Sequence, residues 1–213
     1  MGQGQQIELI VGLGNPGPEH KRTRHNAGFW FTDLLAQAHG GRFRSENRLH
    51  GDIAEISVCG ARIRLLKPQT YMNESGRSVF ATTSYYKIIP EHILIVYDEL
   101  DLKLGRVKLK FDGGHGGHNG MRDIIQCIGK KFWRLRLGIG HPGQGGRNKV
   151  LSHLLRPAPS ADEDEILDAI NAAIGTLPVL IEHGSELAKT RLHSRGMNPC
   201  AYKKDSSNNP TED

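Results

Sequence analysis

A short apolar run, Ile7 to Val11, passes without a break into Gly12-Leu13-Gly14-Asn15-Pro16-Gly17. A run of that length closed by glycine reads as a buried strand, and a strand that empties into a glycine-rich turn is the opening unit of an α/β domain. The rest of the chain keeps the alternation. Ala27 to Ala38 has helical spacing, with Phe29, Trp30, Leu34, Leu35 and Ala38 near one face. Ile53–Val58 and Ile63–Leu66 read as a strand pair turned around Cys59-Gly60, and Asn73 is expected to cap a helix running toward Lys87. Ile93 to Tyr97 is apolar throughout and ends in Asp98, as a central strand would. Arg106–Phe111 alternates strictly, a helix is expected from Asn119 to Ile128, and Trp133–Ile139 reads as another strand. Ser160 and Glu163 have the spacing of a capping box ahead of a long helix that Gly184 ends, and Ser185–His193 adds a shorter one. Residues 1–195 are therefore expected to form a single-domain three-layer α/β/α fold with a twisted mixed, mostly parallel sheet. Residues 196–213 read as a disordered polar tail.

The balance of 28 Lys+Arg against 23 Asp+Glu gives a net charge of +5, compatible with a polyanionic partner but not diagnostic of one. The three cysteines, Cys59, Cys127 and Cys200, are scattered and odd in number, which argues for a reducing compartment and against a zinc knuckle. No apolar run approaches the length of a membrane span, and Met1–Gln6 lacks the pattern of a signal segment. The expectation is a cytoplasmic protein with no membrane contact.

The chemistry concentrates in two glycine-rich stretches. The first runs from Gly12 to Gly17 and on to Thr23-Arg24-His25-Asn26; the second is Gly113-Gly114-His115-Gly116-Gly117-His118-Asn119-Gly120. Glycine lets backbone amides approach a ligand closely, and the side chains left between the glycines are Asn and His rather than a P-loop lysine. Neutral amides beside a titratable imidazole suit carbonyl chemistry better than phosphoryl transfer. Ligand sites of open α/β sheets gather outside the carboxyl ends of strands. Asn15 follows the first strand, Asp98 ends a later one, and His25 is close enough in sequence to Asn15 to reach the same crevice. A carboxylate that holds one imidazole tautomer makes that imidazole a general base. Taken alone, His25 is more often a backbone-bonded helix-start residue, and Asn15, Asn73 and Asn119 are ordinary capping or turn residues.

Arg106, Lys108 and Lys110 share one face of their strand, and Arg134 and Arg136 share one face of theirs. As neighbours, the two strands would form a track for phosphates; a solvated outer face is the plainer alternative. Tyr71 and His20 are candidates to stack on a base. Gly12-x-Gly14-x-x-Gly17 formally matches a dinucleotide fingerprint, but no helix opens directly after it. There is no Gly-x-Ser-x-Gly elbow and no Gly-Lys-Ser/Thr loop. His115 and His118 lack companions at a recognisable metal spacing. A non-catalytic RNA-binding module keeps the basic strands without needing a His–Asp couple, and a dinucleotide-dependent oxidoreductase would need the fingerprint to be real.

Six segments together carry a more specific signal: Ile10–Gly17, Thr23–Gly28, Lys67–Gly76 (Lys-Pro-Gln-Thr-Tyr-Met-Asn-Glu-Ser-Gly), Asp98–Leu102, Gly113–Gly120 and Arg134–Gly140. In these, and in their order, the chain resembles the bacterial peptidyl-tRNA hydrolases. The resemblance implies hydrolysis of the ester joining a peptide, or an N-blocked amino acid, to the 3′ end of tRNA, by a cytosolic monomer that needs no metal or organic cofactor. It implies that His25 is the general base, Asp98 its partner, and Asn15 the residue that positions substrate and distinguishes blocked from free amino groups. Asn73 and Asn119 are implied to contact the peptide backbone and terminal nucleotide, Tyr71 to line the site, and Lys108, Lys110 and Arg136 to clamp tRNA phosphates. His20 departs from the family's usual tyrosine and offers less stacking area, and Lys103-Leu104 replaces a turn that commonly contains proline.

Overall fold

β1 (Leu9–Gly12) and β5 (Ile93–Glu99) lie side by side and parallel at the middle of one seven-stranded sheet. Both are buried along their whole length, which explains their unbroken apolar character: helices cover both faces, so neither strand has a polar side to present. The computed structural model describes residues 4–194; the tail expected at 196–213 lies outside the described residues. The other strands are β2 (Arg44–Glu46), β3 (Gly51–Val58), β4 (Ala61–Pro68), β6 (Val107–Phe111) and β7 (Trp133–Gly138), in the order β2-β3-β4-β1-β5-β7-β6. The four central strands are mutually parallel, whereas β2–β3, β3–β4 and β6–β7 pair antiparallel. The mixed sheet is as expected: its parallel part is the four central strands, and its antiparallel pairs include the expected β3–β4 hairpin and the alternating strand β6, while the short edge strand β2 has no counterpart among the expected elements.

The helices are α1 (Ala27–Ala38), α2 (Ser75–Tyr86), α3 (Asn119–Ile128), α4 (Gly146–Leu155), α5 (Ser160–Ile174), α6 (Leu177–His183) and α7 (Ser185–Ser194). One face of the sheet packs on α1 and α5 to α7 through Phe31, Leu35, Ile166, Ile170, Leu180 and Leu192. The other packs on α2 and α3 through Val79, Met121 and Ile124. On α1 the core stripe is Phe31 and Leu35 rather than one running through Ala38, which is exposed. Ser160–His183 is long and apolar enough, at mean hydropathy 1.3, to pass as a membrane span by length and composition. This corrects the reading that no run has that length. The stretch breaks at Gly175-Thr176 into α5 and α6, and its apolar residues turn onto the sheet, as those of a core helix do.

Two expected caps do not form. Asn73 lies in a 3₁₀ turn, Met72–Glu74, that precedes α2, so it is one residue too early to cap that helix. Ser160 is the first residue of α5 and makes no capping bond; the carboxylate of Glu163 goes instead to Arg22, 2.8 Å away. A long-range cation outcompetes a local backbone N–H here because a charge-assisted bond is roughly twice as strong as a neutral one. The helix α4 has no counterpart among the expected elements: its burial pattern has no fully buried residue, so no apolar stripe marks it.

Candidate active site

The carboxyl ends of β1 and β5 set the site. Beyond β1 the Leu13 N–H still donates to Val96 O (2.9 Å), which carries the loop along β5 as far as Asn15. Gly28, in the first turn of α1, sits directly on that loop: a Cβ there would come within 2.3 Å of Leu13 N and 2.4 Å of Val96 O. No other residue admits this approach. It brings the 3₁₀ turn Arg24–Asn26 against the end of β5.

His25 Nδ1 then lies 3.0 Å from both carboxylate oxygens of Asp98. Both side chains are buried, Asp98 to 3% exposure and His25 to 8%. His118, at the start of α3, approaches from the other side, with Nε2 3.1 Å from Asp98 Oδ1. The Met121 N–H donates to His118 Nδ1 (3.3 Å), so that nitrogen is an acceptor and Nε2 carries the hydrogen directed at Asp98. The carboxylate thus accepts from two imidazoles. Burial alone would raise the Asp98 pKa, but the adjacent His25 and His118 hold it well below the usual carboxylate range. For His25, burial pushes the pKa down, and the charge and hydrogen bond of Asp98 outweigh it, leaving it raised. With Nδ1–H given to Asp98, the basic atom of His25 is Nε2, which has no hydrogen-bond partner among the described residues.

The ligand-type atoms of His25, Asp98 and His118 lie within 4.8 Å of one another, a spacing that would admit a metal ion. The tautomer of His118 argues against it: its Nε2, directed at Asp98, bears hydrogen and has no lone pair to give. His115 is not part of this group; its Nδ1 accepts from Gly117 N–H within the glycine loop (3.1 Å).

Asn15 is held on three sides. Its N–H donates to Asn26 Oδ1 and its carbonyl accepts from Asn26 Nδ2, both at 2.9 Å. Its Oδ1 accepts from Met72 N–H (2.8 Å), which fixes the amide and leaves the NH₂ end to face outward. Gly120 abuts Met72, where a Cβ would fall 2.6 Å from Sδ. Asn73 follows Met72, which bonds Asn15, and Asn119 precedes Gly120, which abuts Met72, so both are one residue removed from that contact. Asn73 is exposed, as is Asn119, whose Oδ1 accepts from Arg122 (3.1 Å). Tyr71, 65% exposed, stands beside Asn73. His20 ends the 3₁₀ turn Pro18–His20 at the other side of the loop, half-buried, with Nε2 3.7 Å from the Glu19 carboxylate.

The cationic strands are neighbours, with Lys108 opposite Arg136 and Lys110 opposite Arg134. They do not form one open row. Arg134 is 2% exposed and donates to the carbonyls of Gly114 (2.5 Å) and Gly113. It is therefore a strut for the glycine loop, not a phosphate contact. Arg136 is partly engaged by Glu99 at 2.9 Å, whereas Lys108 and Lys110 are exposed.

A profile of the peptidyl-tRNA hydrolases matches residues 9–200. The peptidyl-tRNA hydrolase of Xanthomonas euvesicatoria pv. vesicatoria is 50% identical over 189 residues, which span 88% of this chain and 97% of that protein. This chain belongs to the peptidyl-tRNA hydrolase family. A family member from Photorhabdus laumondii subsp. laumondii is 47% identical over 190 residues, 88% of this chain and 96% of its own. The crystal structure of the Acinetobacter baumannii member superposes with a TM-score of 0.85 at 44% identity, covering 91% of this chain and 98% of that one.

Two residues that the sequence does not single out belong to this site by position. His118 reads from sequence only as a metal ligand with His115, yet it packs against Asp98 and lies 5.1 Å, ring to ring, from His25. Asn26 reads only as part of a motif, yet it fixes the backbone of Asn15. The signal for both is their placement inside the glycine-rich stretches. The strap behind His25 has no such signal: Arg24, 5% exposed, donates to Asp162 (2.5 Å) and to the carbonyl of His153 (3.1 Å), tying the His25 turn to α4 and α5.

Proposed function

We propose that the chain hydrolyses the ester between a peptide, or an N-blocked amino acid, and the 3′ end of tRNA, with His25 as general base. The hydrogen bond from His25 Nδ1 to Asp98 (3.0 Å) carries this reading, because it leaves Nε2 as the atom that takes a proton from water. The hydroxide equivalent adds to the ester carbonyl, the tetrahedral intermediate expels the ribose 3′-oxygen, and the proton held on Nε2 passes to that oxygen. Asp98 stabilises the imidazolium between those steps, and His118 holds Asp98 in place from its other side. Asn15, its Oδ1 already committed to Met72, offers an NH₂ group to the acyl or peptide carbonyl. Asn73 and Asn119 bind the peptide backbone and terminal nucleotide, Tyr71 and His20 flank them, and Lys108, Lys110 and Arg136 take tRNA phosphates. The same reading makes the protein a cytoplasmic monomer that works without a cofactor or a membrane.

Asp98→Asn tests the mechanism. The asparagine carbonyl is retained by His118 Nε2–H, so its NH₂ group faces His25 Nδ1 and forces the hydrogen onto Nε2, the wrong tautomer for a base. Turnover of an N-acetyl-aminoacyl-tRNA is expected to fall on the order of 10²- to 10⁴-fold. The wild-type rate should rise with pH as His25 loses its proton, with a midpoint above the ordinary imidazole value of about 6.5. Without the carboxylate, burial dominates and that midpoint moves down. A variant whose turnover and pH limb match wild type would remove His25 and Asp98 from the chemistry.

A further inference from the structure

At the opposite edge of the sheet from β6 and β7, the face of β2, β3 and β4 turned toward the end of α2 is concave and cationic. Pairing aligns Arg44 with Ile53 and Ile53 with Leu66, while Glu55 lies opposite Arg64. Arg62 and Arg64, two apart on one strand, share this face at about 7 Å separation. Together with Arg42, just before β2, and Tyr86, at the end of α2, they line a cavity of about 350 Å³.

The charges there are unbalanced. Four guanidiniums surround one carboxylate, Glu55, which pairs with Arg62 at 2.6 Å. Arg64 lies 4.1 Å over the Tyr86 ring. Arg42 and Arg44 are exposed and make no hydrogen bond, ion pair or ring contact among the described residues. Charged side chains on an edge strand often serve to block pairing with another chain. That role fits Arg44 on β2, but not Arg62 and Arg64 on β4, which sits two strands in and is paired on both sides. Nor does the catalytic reading need these arginines. Arg64 pairs with Leu9, at the start of β1, whereas Asn15 and Asp98 lie at the far ends of their strands.

We propose that this cavity is a second anion site, which binds a ligand carrying two or more linked phosphates. Guanidinium forks match phosphate oxygens two at a time, which a lone carboxylate ligand would leave largely unused. A volume of this order suits a nucleotide-sized ligand. The phosphates come either from a free polyphosphate or nucleotide, or from consecutive phosphodiesters of an RNA strand.

The test uses the full chain at low salt, with inorganic triphosphate in one titration and a blunt RNA duplex lacking a 3′ overhang in the other. Binding is followed by calorimetry and by ligand-dependent thermal stabilisation. The double variant Arg42→Gln, Arg44→Gln removes charges that bond to no other side chain, so its Tm without ligand should equal wild type. Its affinity for the bound probe should fall at least tenfold, while turnover of N-acetyl-aminoacyl-tRNA stays within twofold. Arg64→Gln should weaken the same probe, and Lys110→Ala should leave triphosphate binding unchanged. Arginine-dependent binding of triphosphate identifies a free ligand as the source; arginine-dependent binding of the duplex alone identifies an RNA backbone. Binding of neither probe, or binding that the double variant retains, overturns the proposal.

Discussion

Arg134 and Lys110 stand opposite each other across β7 and β6, carry the same charge and share a face, yet they do different work. Arg134 is sunk to 2% exposure, stacks its guanidinium 4.7 Å from the Phe132 ring, and spends its N–H groups on two glycine carbonyls. Lys110 is exposed, makes no hydrogen bond or ion pair among the described residues, and leans over Gly113, where an added Cβ would meet its Nζ at 3.0 Å. The inner cation holds the glycine loop that leads to His118, and the outer one faces solvent. Strand phase places both on one face; depth decides which is structure and which is surface. The largest effect should therefore come from Arg134→Ala. Two hydrogen bonds to a charged donor, at about 1.5–3 kcal/mol each, are removed, partly offset because water reaches the freed carbonyls. We expect destabilisation of about 2–4 kcal/mol, read as a Tm lower by roughly 5–15 °C, with turnover reduced because the loop no longer presents His118 to Asp98. An unchanged Tm with weakened RNA binding would place Arg134 in the same class as Lys110 and erase the distinction.

Arg136 lies between the two cases, and that makes it the sharper probe. Its Nε bonds Glu99, itself 6% exposed, at 2.9 Å, while the side chain keeps 23% exposure. Arg136→Ala strands a buried carboxylate, so both stability and tRNA affinity should fall. Adding Glu99→Gln removes the stranded charge. The double variant should regain about 1–2 kcal/mol of the stability that the single one forfeits, in the range of couplings between contacting groups, while tRNA affinity stays low. Recovery of both together would mean that Arg136 acts only through Glu99 and never touches phosphate. Recovery of neither would mean that the pair does not stabilise the fold.

The same distinction explains how far the amino-acid sequence is legible by itself. Strand and helix periodicity identifies β1, β5 and α3, because those elements bury continuous or regularly spaced apolar residues against a sheet. Glycine placement points to the loops that converge on His25 and Asp98. Pattern carries no depth, so Arg134 reads like Lys110. It carries no long-range competition either, so Ser160 and Glu163 read as a capping box although Glu163 is drawn off to Arg22. His118 is illegible as a partner of Asp98 for the same reason: twenty residues separate them, and only the pairing of β5 with β7 and the seating of α3 close the gap to 3.1 Å.

The smallest effect, and the cleanest, belongs to Lys110→Ala. No hydrogen bond or ion pair within the protein breaks, so Tm should not move, and the catalytic cluster is untouched, so turnover at saturating substrate should hold. What changes is the count of phosphates neutralised. The slope of log affinity for tRNA against log salt should shrink by about 1 for each phosphate no longer neutralised, and the affinity gap between wild type and variant should narrow as salt rises, since released counterions supply the interaction. On the proposed phosphate track Lys108→Ala should add a second step of similar size, because the two lysines sit two residues apart on β6. A slope that stays constant through both substitutions would return this face to ordinary solvated surface, and the contrast with Arg134 would then be one between buried and idle charge rather than between scaffold and grip.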